Sequence, residues 1–284
     1  MRRSAHYASP FGGQWQAYRR TQLDSYTGTT YSRDRLERCL GAPVQSLAGL
    51  SVLEVGCGAG RFTEWLLRGG AKVVAIDASA AVFANRVYCA HIGDYALVMA
   101  DINRSPLPDG SFDVVLCLGV VQHTPSPERT IGSLARHVKP GGRLVIDHYT
   151  WRSRWSWVGT KLTMAYPLRH ILRRVARRRP DVALRATKVL TAICDPIRRR
   201  TCRVRALDRV VGRLFPTVCH YDVYTALPPD IVYAWNELDT HDTLTDWFKH
   251  HRTRDEIRAA LERAGLHDVE CWYDGNGVEA RARA

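Results

Sequence analysis

Residues 51 to 60 read Ser-Val-Leu-Glu-Val-Gly-Cys-Gly-Ala-Gly, an apolar run that carries one carboxylate, Glu54, and ends in three glycines at alternate positions. Glycines at Gly56, Gly58 and Gly60 let a chain turn sharply and bring its backbone against a ligand. A glycine-rich turn also serves the pyrophosphate of dinucleotides, but there the spacing is GxGxxG and here it is GxGxG. Glu54 stands two residues before the first glycine, where a carboxylate repels a pyrophosphate and attracts an ammonium. The chemistry indicated is the binding of a sulfonium amino acid rather than a dinucleotide.

Two further carboxylates follow at the ends of apolar runs. Lys72-Val-Val-Ala-Ile-Asp77 places Asp77, followed by Ala78, where it can accept hydrogen bonds from two ribose hydroxyls. Leu97-Val-Met-Ala-Asp101 places a third acid, with Ile102 after it to flank an adenine. On the opposite side of such a site, His123 follows Leu118-Gly-Val-Val-Gln122, where a general base or a wall of the pocket would stand. His148 and Tyr149 end a later apolar run and are expected on the same rim, as candidates for either catalysis or structure. Asp239, His241 and Asp242 lie close together, but their spacing fits no metal site, and no metal is expected.

The elements that must position these groups alternate. Val52, Leu53 and Val55 read as a buried strand, and Phe62, Trp65, Leu66 and Leu67 as a helix that stops at Gly69-Gly70. Strands follow over 72–77, 97–101, 114–118 and 143–147. Between the last two, Thr124 or Ser126 caps a helix with Pro127 in its first turn and Ile131, Leu134, Ala135 and Val138 on one face, ended by Lys139-Pro-Gly-Gly142. Thr253 to Ala264 reads as the last core helix, and His267 to Tyr273 and Gly277 to Arg281 as closing antiparallel strands. Alternation of this kind predicts an α/β fold, a doubly wound, mostly parallel seven-stranded sheet with an antiparallel C-terminal strand and a helical insertion.

Glu54 to Gly60, Asp77, Asp101, Pro106 to Asp113 and Lys139 to Gly142 resemble, in order, the successive motifs of class I S-adenosylmethionine-dependent methyltransferases, across roughly the hundred residues from Ser51 to Tyr149. The resemblance implies S-adenosylmethionine as cofactor, with Asp101 holding the adenine amino group. Glu54, Gly56, Cys57, Gly58, Gly60, Asp77, Ala78, Asp101, Ile102, Leu118 and Gly119 are then the cofactor residues, and His123, His148 and Tyr149 the catalytic candidates. Methyl transfer is an in-line displacement that needs alignment, and a base when the acceptor is a hydroxyl. O-methylation of a small-molecule or lipid-linked acceptor is expected. N- or C-methylation and a non-catalytic, cofactor-binding regulatory role remain open. Phe11-Gly-Gly-Gln-Trp15 and Thr21-Gln-Leu-Asp-Ser25 resemble the N-terminal segment that folds over the cofactor pocket in bacterial small-molecule methyltransferases.

At 284 residues and 45% hydrophobic, the chain suits one catalytic domain plus a small subdomain. The expected organisation is an N-terminal segment over 1–46, a core over 47–150 and 251–284, and a helical cap over 151–250. Between Trp151 and Arg213, eighteen Lys or Arg face three Asp, a balance of +15, which leaves −2 for the remainder of a chain whose net charge is +13. Apolar stripes are expected inward on three helices: Leu168, Ile171, Leu172 and Val175; then Val182, Ala186, Val189, Leu190 and Ile193; then Val204, Leu207, Val211 and Leu214.

A basic cap suits solvent, an anionic membrane surface with Trp151, Trp155 and Trp157 as anchors, an anionic acceptor, or, least, nucleic acid. Arginine outnumbers lysine 36 to 5, a bias that a GC-rich genome also produces, so arginine clusters weigh less. The eight cysteines form no CxxC pair, and Cys57, Cys89 and Cys117 are expected as small buried hydrophobes in a reducing compartment. With no signal-like h-region and no spanning stretch, the expected location is cytoplasmic, at most peripheral at the inner membrane. Oligomeric state is not legible.

Overall fold

A computed structural model gives the structure of residues 18, 20–151, 165–275 and 277–284. The chain divides into two compact units, one of residues 1–8, 30–151 and 248–284, the other of residues 9–29 and 152–247.

The first unit holds the sheet. Helix α1 (Tyr31–Leu40) is followed by β1 (Ser51–Val55), α2 (Thr63–Arg68), β2 (Lys72–Asp77), α3 (Ala81–Cys89), β3 (Ala96–Met99), β4 (Phe112–Cys117), α4 (Pro127–Ala135) and β5 (Val138–Tyr149). The strand order is β3-β2-β1-β4-β5-β7-β6. The first five strands pair in parallel, and β7 (Gly277–Arg283) enters antiparallel between β5 and β6 (His267–Asp274). This is the doubly wound, mostly parallel seven-stranded sheet that the alternation predicts.

Side chains alternate across the strands and feed two apolar layers. Leu53, Ile76, Val115 and Ile146 pack on one face with Ile131 and Leu134 of α4 and with Ile257 and Leu261 of helix α9 (Arg254–Arg263). Val52, Val73, Leu116 and Val145 pack on the other with Leu36 and Leu40 of α1 and Leu66 of α2. Cys57, Cys89 and Cys117 are buried within these layers, as small hydrophobes are. Ser126 caps α4, its side chain accepting from Arg129 N, with Pro127 first in the helix, and Thr253 and Glu256 form a capping box on α9.

Two boundaries differ from expectation. The helix before β5 stops at Ala135, and Lys139 to Gly142 belong to the strand. Lys139 Nζ is held by Asp113 Oδ1 at 2.9 Å and Ser51 Oγ at 3.0 Å, and Gly141 N donates to Ala284 O at 2.8 Å, so these residues pair with the sheet instead of ending the helix. Strand β3 stops at Met99, and Asp101 caps a single 3-10 turn over Ile102–Arg104.

One buried electrostatic arrangement fixes the far side of the sheet. Asp147 of β5 lies opposite Glu279 of β7, both side chains at most 1% exposed. Each carboxylate takes an arginine from α1. Arg35 pairs with Asp147, and Arg38 donates to Glu279 through Nη2 at 2.6 Å and Nε at 3.1 Å. Asp147 Oδ1 also accepts the backbone N–H of Gly119 at 2.5 Å, which fixes the loop after β4.

The second unit is helical: α5 (Ala165–Arg178), α6 (Pro180–Thr201), α7 (Arg205–Leu214) and α8 (Pro229–Thr245), with a helical turn at Asp24–Thr27. Arg169 bonds Thr243 O at 2.8 Å and pairs with Asp246, and Tyr18 donates to Glu237 at 3.1 Å.

The expected inward stripes are corrected here. On α6, Val182, Val189 and Ile193 are exposed, while Ala183, Thr187, Thr191, Cys194 and Arg198 are buried. The buried side carries its own polar contacts, Thr187 Oγ1 to His241 Nδ1 at 3.1 Å and Arg198 to Asp208 at 2.6 Å. On α7, Leu207 and Leu214 are exposed, as is Val204 just before it, and on α5 Leu172 is buried but Ile171 is exposed. The segments Phe11–Trp15 and Trp155–Trp157 lie outside the described residues.

Removing one partner of a buried ion pair leaves the other charge uncompensated, so Asp147→Asn is expected to lower stability by about 3 to 5 kcal/mol. Urea unfolding should show this loss, and the double change Arg35→Met with Asp147→Leu should recover most of it.

Candidate functional site

The glycine loop leaves β1 with Gly56, Gly58 and Gly60 all at positive φ. At Gly56 the φ is +77°, and a Cβ there would stand 2.1 Å from Val120 Cγ2. The first glycine therefore lets this loop pack on the loop that follows β4. A Cβ at Gly60 would meet Cys89 Sγ at 2.5 Å.

Glu54 lies on the strand just before this turn and is buried, with 2% exposure. Its Oε2 accepts from Thr63 Oγ1 at 2.5 Å, Thr63 accepts from Asn85 Nδ2 at 2.8 Å, and Asn85 accepts from Tyr95 OH at 2.7 Å. Its Oε1 is buried with no hydrogen-bond partner among the described residues. Burial pushes the carboxyl up to about 8, against the Thr63 hydrogen bond, and the neighbouring Asp77 adds to the rise. An ammonium placed here would supply both the missing donor and the missing positive charge.

Asp77 ends β2, its Oδ1 accepting from Ser79 N and Oγ at 2.8 and 2.7 Å and its Oδ2 from Gly58 N at 3.0 Å. Burial raises this carboxyl too, opposed by the Ser79 and Gly58 hydrogen bonds. Asp77 thus ties the glycine loop to β2 and keeps lone pairs for a diol. Asp101 holds Asn103 N at 2.9 Å, and Ile102 is buried beside it. Leu118 and Cys57 are buried, Ala78 and Gly119 half-buried, and Gly119 has φ +77°. All eleven expected cofactor residues stand on the carboxyl ends of β1 to β4 or in the loops that leave them, the end at which open sheets bind ligands. The carboxylates and the unsatisfied Glu54 oxygen fit S-adenosylmethionine.

The acceptor-side candidates are arranged by the segment Phe248–Arg252. His250 N donates to Gln122 O at 3.0 Å and Arg252 N to Tyr149 O at 2.9 Å, which stitches this segment to the loop after β4 and to the end of β5. His123 Nδ1 lies 3.2 Å from the Phe248 carbonyl. A carbonyl only accepts, so Nδ1 carries the hydrogen and Nε2 the lone pair of the neutral ring. The His123 ring meets Tyr149 edge-on, with centroids 5.3 Å apart. Tyr149 continues to His251 at 6.0 Å, and His251 stacks on Trp151 at 3.8 Å. Trp151, expected as a membrane anchor, is therefore part of this row of rings.

His148 does not share that rim. Adjacent strand residues point to opposite faces, and His148 is fully buried, its pKa lowered to about 4 by burial. Its Nδ1 bonds Tyr149 O at 2.8 Å, and its Nε2 is buried without a partner among the described residues, as are Gln122 Oε1 and Nε2, Thr150 Oγ1 and His250 Nε2. Gln122, Thr150, His250 and His251 were not singled out from the sequence. The one local signal is the Lys-His-His-Arg run at 249–252, across the expected end of the insert.

In the helical unit the acid and imidazole group is divided among separate partners. Asp239 accepts from His220 Nε2 at 2.6 Å, while His241 faces Thr187 and is held neutral by burial, its pKa lowered to about 4.

Residues 53–146 match the family model described as a methyltransferase domain. The ubiquinone biosynthesis O-methyltransferase of Azoarcus sp. is 40% identical over 100 residues, 34% of this chain and 42% of that protein. The protein of the same name in Thiobacillus denitrificans is 42% identical over 100 residues, 34% and 43% of the two chains. The chain thus spans less than half the length of these curated relatives. A solved S-adenosylmethionine-dependent methyltransferase from Aquifex aeolicus aligns with a TM-score of 0.46 at 16% identity, over 89% of this chain and 88% of that one.

Below pH 8 the ligand-free Glu54 is largely protonated, and a bound ammonium requires it ionised, so binding releases a proton. Affinity for S-adenosylmethionine is expected to fall by up to about tenfold per pH unit below 8, and Glu54→Gln should flatten that slope. Calorimetry in buffers of different ionisation enthalpy reads the released proton directly. Gly56→Ala is expected to abolish the binding while the circular dichroism of the helices is kept.

Proposed function

We propose that this chain, whose residues 53–146 are a class I S-adenosylmethionine-dependent methyltransferase domain, is an enzyme that methylates a hydroxyl of a small-molecule or lipid-linked acceptor. The observation that carries this reading is the pairing of His123 with Tyr149 at the carboxyl end of the sheet. The cofactor supplies a methyl carbon already activated by its sulfonium. The chain's own residues hold it through Glu54, Asp77 and Asp101, align the acceptor and take its proton.

His123 suits the proton's acceptor, since the Phe248 carbonyl holds its ring through Nδ1 at the carboxyl end of the sheet. Tyr149, His251 and Trp151 form a row of aromatic rings suited to a planar acceptor, and the matched relatives are named for O-methylation in ubiquinone biosynthesis. His148, buried and neutral, is a positioning residue in this reading.

The helical unit is proposed as the acceptor-side cap and residues 1–46 as the segment closing on the cofactor. The +15 balance over 151–213 supports an anionic acceptor or peripheral contact with an anionic membrane. No helix among the described residues is long and apolar enough to cross a membrane.

Calorimetric titration with S-adenosylmethionine and S-adenosylhomocysteine, beside Glu54→Ala and Asp77→Ala, tests the cofactor half. Micromolar affinity that both substitutions abolish is expected, and no binding by the unaltered chain would overturn the reading. Transfer of labelled methyl groups to a panel of phenolic and aliphatic hydroxyl acceptors tests the other half. His123→Ala is expected to keep cofactor affinity and lower turnover about 10²- to 10⁴-fold near neutral pH. Unchanged turnover would remove His123 from the chemistry.

A further inference from the structure

Helix α6 is inverted with respect to water. The side it turns to the rest of its unit is small or polar, with Thr187, Thr191, Cys194 and Arg198 buried. Its outward side carries Val182, Val189, Ile193 and Ile197, 39 to 68% exposed. Their spacing of 7, 4 and 4 residues puts all four within an arc of roughly 80° and along about 22 Å of helix. A helix of a soluble unit normally turns such a stripe to its own core. The neighbouring α7 repeats the pattern, with Leu207, Val210 and Leu214 45 to 61% exposed.

These side chains are not scattered. Nine of the fifteen large apolar side chains exposed among the described residues fall between Ile171 and Leu214, all but Leu214 inside the stretch that holds the +15 charge balance. Isolated exposed aliphatic groups need no explanation, but a continuous set rimmed by cations marks a contact surface. Arg178, Arg185 and Arg200 are all exposed, and Arg185 lies beside the stripe one turn after Val182.

We propose that the outward face of α6, with that of α7, docks on an anionic lipid surface, aliphatic side chains below the headgroups and arginines at the phosphates. The proposal rests on the membrane contact in the functional reading above and names the surface that makes it. The physical match is that of an interfacial helix, lying in the plane of the bilayer with an apolar stripe and a basic flank. A second copy of the chain is a poorer occupant, because two such faces would bring two strongly cationic stretches together.

The test is flotation of the full chain with vesicles of phosphatidylcholine alone and of equal parts phosphatidylcholine and phosphatidylglycerol, at low and high salt. Binding to the anionic vesicles at low salt, weakened by salt, is expected. Val189→Asp with Ile193→Asp should reduce it at least about tenfold, since each aliphatic side chain withdrawn from water contributes on that scale. The helical signal and S-adenosylmethionine affinity should be unchanged. Arg185→Glu with Arg200→Glu should reduce the salt dependence.

Absence of flotation with anionic vesicles, or equal flotation by the Asp variant, would overturn the proposal. So would a concentration-dependent dimer in sedimentation that Ile193→Asp converts to monomer, since it assigns the face to a second copy. A chain that binds S-adenosylmethionine without floating loses only this inference. One that floats without binding the cofactor loses only the enzymatic reading.

Discussion

Two carboxylates that face each other inside a sheet would be untenable alone. Asp147 and Glu279 are cross-strand partners, both buried, and like charges at such positions repel across a few ångström with little water to screen them. Arg35 and Arg38, three residues apart on one face of α1, convert the repulsion into a lattice of opposite charges. The position of α1 follows from this, and so does that of the loop after β4, because Asp147 spends its second oxygen on Gly119 N–H. Gly56 then packs on Val120 in that same loop. A constraint set at the β5–β7 pairing thus reaches the glycine turn through two short steps.

Most of the sheet is legible in the sequence because its strands are buried on both faces and read as short apolar runs closed by acids or glycines. Glu54, Asp77 and Asp101 are visible for the same reason, each being the one polar residue at the end of such a run. The arginines that serve Asp147 and Glu279 are not visible, since the match depends on strand register and on a helix more than a hundred residues away in the chain. Gln122, Thr150 and His250 are hidden likewise, because buried polar atoms without partners become evident only when their neighbours are known. The extent of β5 is not legible because Pro and Gly at 140–142 signal a stop, while the contacts of Lys139 and Gly141 are made to distant strands.

The helical unit shows a different limit. Periodicity in Val182, Val189 and Ile193 establishes that α6 has an apolar side, but a stripe carries no sign that says whether its partner lies within the chain or outside it. The sign comes from the opposite face, where Thr187, Thr191 and Arg198 find hydrogen bonds or burial inside the unit. A helix whose small and polar side is already buried in its own unit has no need to turn its aliphatic side inward. The same reasoning separates His123 from His148, both catalytic candidates in the sequence. One faces a row of rings and the other is sealed in the sheet.

The placement of β7 also dictates an order of assembly. β6 is made before β7, yet among the described residues its one neighbour in the sheet is β7, and β5 likewise acquires its outer neighbour from the later strand. As the ribosome delivers the chain, β1 to β5 can pair as they appear, whereas β6 must wait unpaired for the segment that follows it. Arg38 waits longer, because Glu279 is 241 residues downstream. Closure of the sheet and neutralisation of Glu279 are therefore a single event of high contact order, the step on which chaperone protection of the nascent chain would bear.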